Sequence, residues 1–283
     1  MSIASSAVLV ELNISVWPAN KLDKSATEAV IADNSAGKNS AQVRKNLLAG
    51  SSLRKDISDY AAGTRLYNNK ITLPWSDKGA RLLPTSLMMD YRPNMNNRQQ
   101  YFNKLLQNFY SNYDTLVATS KTYMGTLFNE NDYPPLEEVQ KKFGFRLVFS
   151  PLAEKGDFRI DVGNAEIAEL SENYELAYQE RVAEAMRKPW EDLHGLLKGM
   201  SSKLADVDGE EKKRYHESFV SNAQSMCGLL TNLNITKDPK LEEARRSLEL
   251  TMLGVDIEEV KDSPIVRVDL KTKIDDILKK FDW

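Results

Sequence analysis

Residues 164–204 read NAEIAELSENYELAYQERVAEAMRKPWEDLHGLLKGMSSKL, and their spacing decides the fold class. Ile167, Leu170, Tyr174, Tyr178, Val182, Met186, Trp190, Leu193, Leu197, Met200 and Leu204 recur every three or four residues. That period puts them on one stripe of an α-helix. Such a helix would run about 60 Å. Pro189 lies inside it and deletes one backbone hydrogen bond. Asp208-Gly209 marks a turn, after which a second helix is expected over 210–233, so the pair reads as an antiparallel helical hairpin. Asp238-Pro239 opens a third helix that runs to Leu253, with Gly254 as its stop.

Upstream, a second stripe runs through Phe102, Leu105, Leu106, Phe109, Tyr113, Leu116, Val117, Tyr123, Met124, Leu127 and Phe128, predicting one helix over about 96–128. Ser40 could cap a further helix to about Tyr67. Strand signals are fewer. SAVLVELNISVW at 6–17 alternates and is stopped by Pro18. ITLPW and ARLLP look like short extended pieces around SDKG at 76–79. The runs 145–150 and 157–162 flank AEKG as a small hairpin, and Ile265–Leu270 looks β-like. Gly144 suits a left-handed cap for the short helix LEEVQKKF. The fold class is therefore mainly α, a long antiparallel helical hairpin or bundle with a small β element. Three consecutive segments are expected: 1–93, 94–163 and 164–283.

The chain has 283 residues, 41% hydrophobic and 28% charged, ordinary values for a globular protein with a sizeable core. Its single cysteine, Cys227, rules out an intramolecular disulfide, which fits a reducing compartment and also many secreted bacterial proteins. No apolar run approaches the length of a membrane-spanning helix. The opening MSIASSAVLVELNISVW lacks a basic region and is interrupted by Glu11, which argues against a signal peptide. A cytoplasmic location is expected.

The chemistry-bearing residue types are sparse. The two histidines, His194 and His216, fit no zinc spacing, and Val220 stands where a His-Glu-x-x-His motif begun at His216 would need its second ligand. Cys227 in SMCGLL reads as a small buried hydrophobe. Neither phosphate-loop glycine pattern occurs. Glu137-Glu138, Glu210-Glu211 and Glu258-Glu259 read as solvated helix faces with local ion pairs. No catalytic residue, metal ligand or cofactor site is expected.

Two surfaces are the candidate sites. Trp190, Leu193, Leu197 and Met200 lie on an apolar stripe that a hairpin covers only in part, and exposed stripes mark interfaces. Residues 38–125 hold thirteen lysines and arginines against five acids. Within them Arg98, Tyr101, Lys104 and Tyr110 combine bases with aromatics off the apolar stripe, a pattern that can stack single-stranded nucleic acid.

The run Leu127-Phe128-Asn129, Asn131-Asp132-Tyr133-Pro134, Glu138-Val139 and Phe143-Gly144-Phe145 resembles a bacterial and phage family called "domain of unknown function 3150". The resemblance covers most of the chain and is most specific from the Asp-Tyr-Pro turn to Phe-Gly-Phe. It implies no catalytic residues. It implies a phage or mobile-element protein encoded beside a MoxR-type AAA+ ATPase and a von Willebrand A-like protein, and hence a non-enzymatic accessory, adaptor or scaffold. Partners would be those two proteins or further copies of the chain, giving a homo- or hetero-oligomer. The alternatives are a nucleic-acid-binding accessory factor that uses residues 38–125, and a structural component of a phage particle.

Overall fold

The 167–204 stripe does form one continuous helix, and it is the spine around which half of the protein is built. In the computed structural model, residues 3–76, 79–153, 164–205 and 215–283 are described. Of these, 68% are helical. In chain order, α1 (Ile3–Ser6) leads into β1 (Ala7–Ser15), followed by β2 (Asn20–Leu22), α2 (Lys24–Asp33) and β3 (Arg44–Asn46). Next come α3 (Leu53–Ile71), β4 (Leu73–Pro74), β5 (Ala80–Pro84), α4 (Met88–Ser111) and α5 (Tyr113–Met124). After α6 (Leu136–Gln140) and β6 (Gly144–Ser150) the chain is helical: α7 (Asn164–Leu204), α8 (Ser218–Leu233), α9 (Pro239–Met252), α10 (Ile257–Asp262) and α11 (Pro264–Lys280). The four-stranded sheet has the order β4-β5-β1-β6, and β2 and β3 form a separate ribbon.

The three consecutive segments expected from the sequence are regrouped. The chain forms two units, each assembled from separated stretches: Met1–Glu11 with Asn69–Met89 and Val148–Trp283, and Leu12–Asn68 with Asp90–Leu147.

In the first unit, α7 carries two cores. Its C-terminal half buries Leu193, Leu197, Met200 and Leu204 among α8, α9 and α11, which contribute Phe219, Leu230, Leu241, Leu248, Leu270 and Ile274. Its middle turns, with Tyr178, Val182 and Ala185, meet the β4–β5 hairpin through Leu73, Trp75 and Leu82. The hairpin is the one ITLPW and ARLLP predict, with Leu73 opposite Leu82, and β5 pairs antiparallel with β1 from Ala7↔Pro84 to Glu11↔Ala80. The expected partnership of α7 with α8 alone is not what organises the unit: α7 packs chiefly on α11, and α8 on α9. The helix expected over 210–233 is described only from Ser218.

The β-like reading of Ile265–Leu270 is overturned, because these residues lie within α11. Ser263 caps that helix by accepting from the Val266 N–H, and Pro264 takes the first turn, where its missing N–H costs nothing. Leu270, Ile274 and Ile277 then recur at helical spacing and are buried. Asp238 caps α9 in the same way, accepting from the Lys240 N–H, and Gly254 ends the turn after α9 at φ +73°. Cys227 is buried, and burial pushes its thiol pKa up.

In the second unit, α3, α4 and α5 pack around Ile57, Phe102, Phe109, Tyr113 and Leu116, with Ile14 of β1 and Trp17 just beyond it. Three expectations need correction here. The helix expected from Ser40 begins only at Leu53, because Gly50 adopts φ +87°, where a Cβ would stand 2.6 Å from the Tyr123 ring. The single helix expected over 96–128 is two, α4 and α5. Asn112 leaves helical geometry at φ −106°, ψ 1°, and its side-chain amide donates to the Asn108 carbonyl, competing with the backbone ladder. Gly144 is no left-handed cap. It opens β6, where a Cβ would stand 2.8 Å from the Ser15 hydroxyl oxygen. The second arm of the hairpin expected at 157–162 lies outside the described residues.

The Asp-Tyr-Pro turn joins these pieces. Asp132, whose side chain is 4% exposed, accepts from Lys21 Nζ at 2.7 Å, and its other oxygen lies 2.5 Å from Lys45 Nζ. Lys45 in turn lies 3.6 Å from Asp23. The next two residues add contacts: the Tyr113 hydroxyl donates to the Pro134 carbonyl at 2.7 Å, and Tyr133 packs on Phe128. Phe143 is buried against Phe109 and Tyr110, whereas Phe145 is half-covered beside Phe102. Burial alone would raise the Asp132 pKa, but the hydrogen bonds from Lys21 and Lys45 outweigh it and hold the carboxyl below its usual range.

A depressed carboxylate pKa stabilises the fold above the unfolded value of about 3.9, and that contribution disappears as pH falls through the folded value. Asp132→Asn should therefore cost about 3 kcal/mol at neutral pH, because Lys45 loses its nearest partner while largely buried. As pH falls from about 4 through the lower folded value, the variant and the parent should converge in stability. Urea unfolding followed by hydrogen exchange in residues 12–68 and 90–147 reads both effects; a pH-independent difference would contradict the assignment. Phe143→Ala in the same block should cost about 3 kcal/mol by the same measurement.

Candidate functional site

Trp190, Leu193, Leu197 and Met200 are brought together as the sequence predicts, but not on an open face. Leu193, Leu197 and Met200 are buried within the first unit's own core. Trp190 is half-buried, its ring packs on Phe281 and Trp283, and its Nε1–H donates to Asp238 at 3.2 Å. The stripe is closed chiefly by α11, read from sequence as part strand, with α8 beside it. An element misread as β left the stripe looking uncovered.

The basic–aromatic set divides. Tyr110 is half-buried against Phe109 and Phe143 and belongs to the core of the second unit. Arg98, Tyr101 and Lys104 lie at three-residue steps along α4 and share one edge. There Tyr101 meets Tyr60 of α3 with ring centroids 4.7 Å apart, and the Arg98 guanidinium lies 4.2 Å over the Tyr67 ring. Tyr101 and Lys104 are exposed. A seam of two tyrosine contacts and two cations therefore borders α3 and α4. Tyr60 and Tyr67, missed from the sequence, sit at an i, i+7 spacing on α3 that could have found them.

A third surface was not anticipated. At the end of α9 and the start of α11, Leu250, Leu253 and Ile265 are 70%, 78% and 81% exposed. They border a groove of about 580 Å³ floored by Val255, Val266 and Leu270. Three carboxylates, Asp256, Glu259 and Asp269, rim it, with Lys273 paired to Asp269 at 2.7 Å. Asp256 is partly engaged as the N-cap of α10, accepting from the Glu258 N–H. The sequence carried a signal: Leu250, Leu253, Ile265 and Val268 fall off the buried positions of their helices. Once α11 is read as a helix, they become surplus apolar residues with no inward face.

Other polar clusters are structural. Glu138 and Glu258 pair with Lys141 and Lys261 three residues on, as local helix-face pairs; Glu210-Glu211 lies outside the described residues. His194 stacks on the Trp283 ring at 4.8 Å, and burial beside Lys198 lowers its pKa. Among the described residues, no group of three or more His, Cys, Asp or Glu side chains is placed to hold a metal ion, and no helix is long and apolar enough to cross a membrane. No family model, no curated protein and no solved structure matches the chain.

The two apolar surfaces should respond oppositely to the same change. Leu193→Asp with Leu197→Asp buries two carboxylates in a packed core and should abolish folding of the first unit. Leu253→Asp with Ile265→Asp should leave the melting temperature within about 2 °C, since surface changes are worth about 0.5 kcal/mol or less. Circular dichroism melts of the two double variants check this.

Proposed function

We propose that this chain is a non-enzymatic accessory or scaffold protein that acts by binding other proteins. One observation carries the reading: three large aliphatic side chains stand more than two-thirds exposed around a single groove on the first unit. Soluble chains seldom leave such patches open unless they are used. The family resemblance of residues 127–145 adds a direction. It favours a phage or mobile-element protein working beside a MoxR-type AAA+ ATPase and a von Willebrand A-like protein, with self-association as the other route to an oligomer.

Co-expression of the chain with a MoxR-type ATPase and a von Willebrand A-like protein encoded beside it, followed by size exclusion with light scattering, tests the reading. A stable complex, or a homo-oligomer of the chain alone, is expected. A chain that elutes as a monomer of 32.1 kDa at all concentrations, with neither protein bound, would overturn it.

A second reading rests on the α3–α4 seam, where Tyr101, Tyr60, Arg98 and Lys104 offer a stacking and phosphate-contacting edge to single-stranded nucleic acid. Anisotropy with a labelled oligonucleotide should then show binding that weakens steeply with salt, through release of counterions. Tyr101→Ala should cost about 1–3 kcal/mol if a base stacks there. No binding at micromolar protein in low salt would end this reading.

A further inference from the structure

We infer that the groove between the end of α9 and the start of α11 receives an amphipathic helix whose flanks are basic. The inference rests on the proposed scaffold role and names the chemistry of its partner.

The apolar part sets the shape of the occupant. Leu250 and Leu253 approach from one wall, Ile265 from the other, and Val255, Val266 and Leu270 form the floor. On α11 the groove is bordered by Ile265, Asp269 and Lys273, at i, i+4 and i+8, which spans about two helical turns, or 12 Å. The apolar lining on α11 runs from Ile265 to Leu270, a little over one turn, and suits the i and i+3 or i+4 anchors of a helix laid in a groove, with Asp269 and Lys273 continuing its edge. The groove is open along its length, and its carboxylates stand exposed on the rim. A small ligand is instead held in a concave site by convergent polar groups.

The rim sets the charge. Asp256, Glu259 and Asp269 face the groove, and Lys273 offsets only one of them. Two negative charges therefore remain beside an apolar surface, where a lysine or arginine can lay its methylene stem along the aliphatic wall and place its charge on the carboxylates. An acidic helix with the same apolar stripe would set like charges side by side, which is repulsive and selects against it.

Two synthetic helical peptides of about 18 residues can share one leucine stripe and differ in carrying lysine or glutamate on its flanks. Fluorescence anisotropy with the full chain should show the lysine peptide binding at least about tenfold more tightly than the glutamate peptide, with affinity falling several-fold as salt is raised. Leu253→Asp with Ile265→Asp should abolish binding of the lysine peptide, and Glu259→Lys with Asp269→Lys should reverse the preference between the two. Equal binding of both peptides, no binding of either, or binding untouched by the Leu253→Asp, Ile265→Asp pair would each overturn the inference. The complexes sought by size exclusion report the scaffold role separately, so a chain that assembles with its neighbours yet ignores both peptides refutes the basic-helix assignment alone.

Discussion

Everything in the first unit follows from the need to cover one side of α7. A helix of 41 residues with an apolar stripe cannot stay open in water, and α7 presents that stripe along most of its length. Two sets of elements meet the demand. The β4–β5 hairpin and the start of β1 cover Tyr178 to Ala185, while α8, α9 and α11 cover Leu193 to Leu204. Full burial of one aliphatic side chain contributes about 1.5–3 kcal/mol. The C-terminal helices therefore form because the stripe rewards them, and their caps at Asp238 and Ser263 only fix where they start. Pro189 is tolerated for the same reason, since one lost hydrogen bond is small beside the burial on either side of it.

The second unit depends on a different constraint, a carboxylate that has to be neutralised where water cannot reach it. Asp132 leaves solvent on a short helical turn, and Lys21 and Lys45 from the β2–β3 ribbon meet it. Lys45 is itself mostly buried and shares Asp23, which caps α2. Four charges thus tie together a ribbon, a helix start and the Asp-Tyr-Pro turn, elements with few apolar residues of their own. Such a cluster adds little net stability compared with an apolar packing, but it admits one arrangement of the ribbon and penalises others. The Asp-Tyr-Pro turn is thereby the part of this unit that fixes local geometry, acting as a clamp on the ribbon.

Legibility in the sequence tracked the range over which each signal acts. The stripe of α7, the caps of α9 and the β4–β5 hairpin are written within a few residues of one another and were readable. The start of α3 was not, because it depends on Gly50 sitting under the Tyr123 ring, a contact between positions far apart in the chain. Ile265–Leu270 looked like a strand because β-branched residues favour strands locally, yet Ser263-Pro264 and the buried spacing of Leu270, Ile274 and Ile277 won. That one misreading displaced the candidate interface. With the first half of α11 read as strand, Leu193 and Leu197 fall on a face left partly uncovered; with it helical, they become core and the surplus moves to α11 itself. The edge formed by Arg98, Tyr101 and Lys104 survived because it needs only helical spacing, whereas Tyr110 was lost to the core through its contact with Phe143.

The location of that surplus carries physical meaning. Ile265 and Val268 are β-branched residues at exposed positions of a helix, where restricted side-chain rotation lowers helix propensity and no packing compensates. Leu250 and Leu253 stand at the end of α9, where a polar residue would serve equally well as surface. Within the fold these side chains add neither core nor cap, and in water they cost solubility. Their one shared property is position: with the exception of Val268 they line a single groove bounded by carboxylates. The C-terminal half of α7 commits its apolar stripe to the core, whereas Leu250, Leu253 and Ile265 gather around one groove and so form a contiguous exposed apolar surface, unlike singly exposed side chains such as Leu66 and Met89 elsewhere.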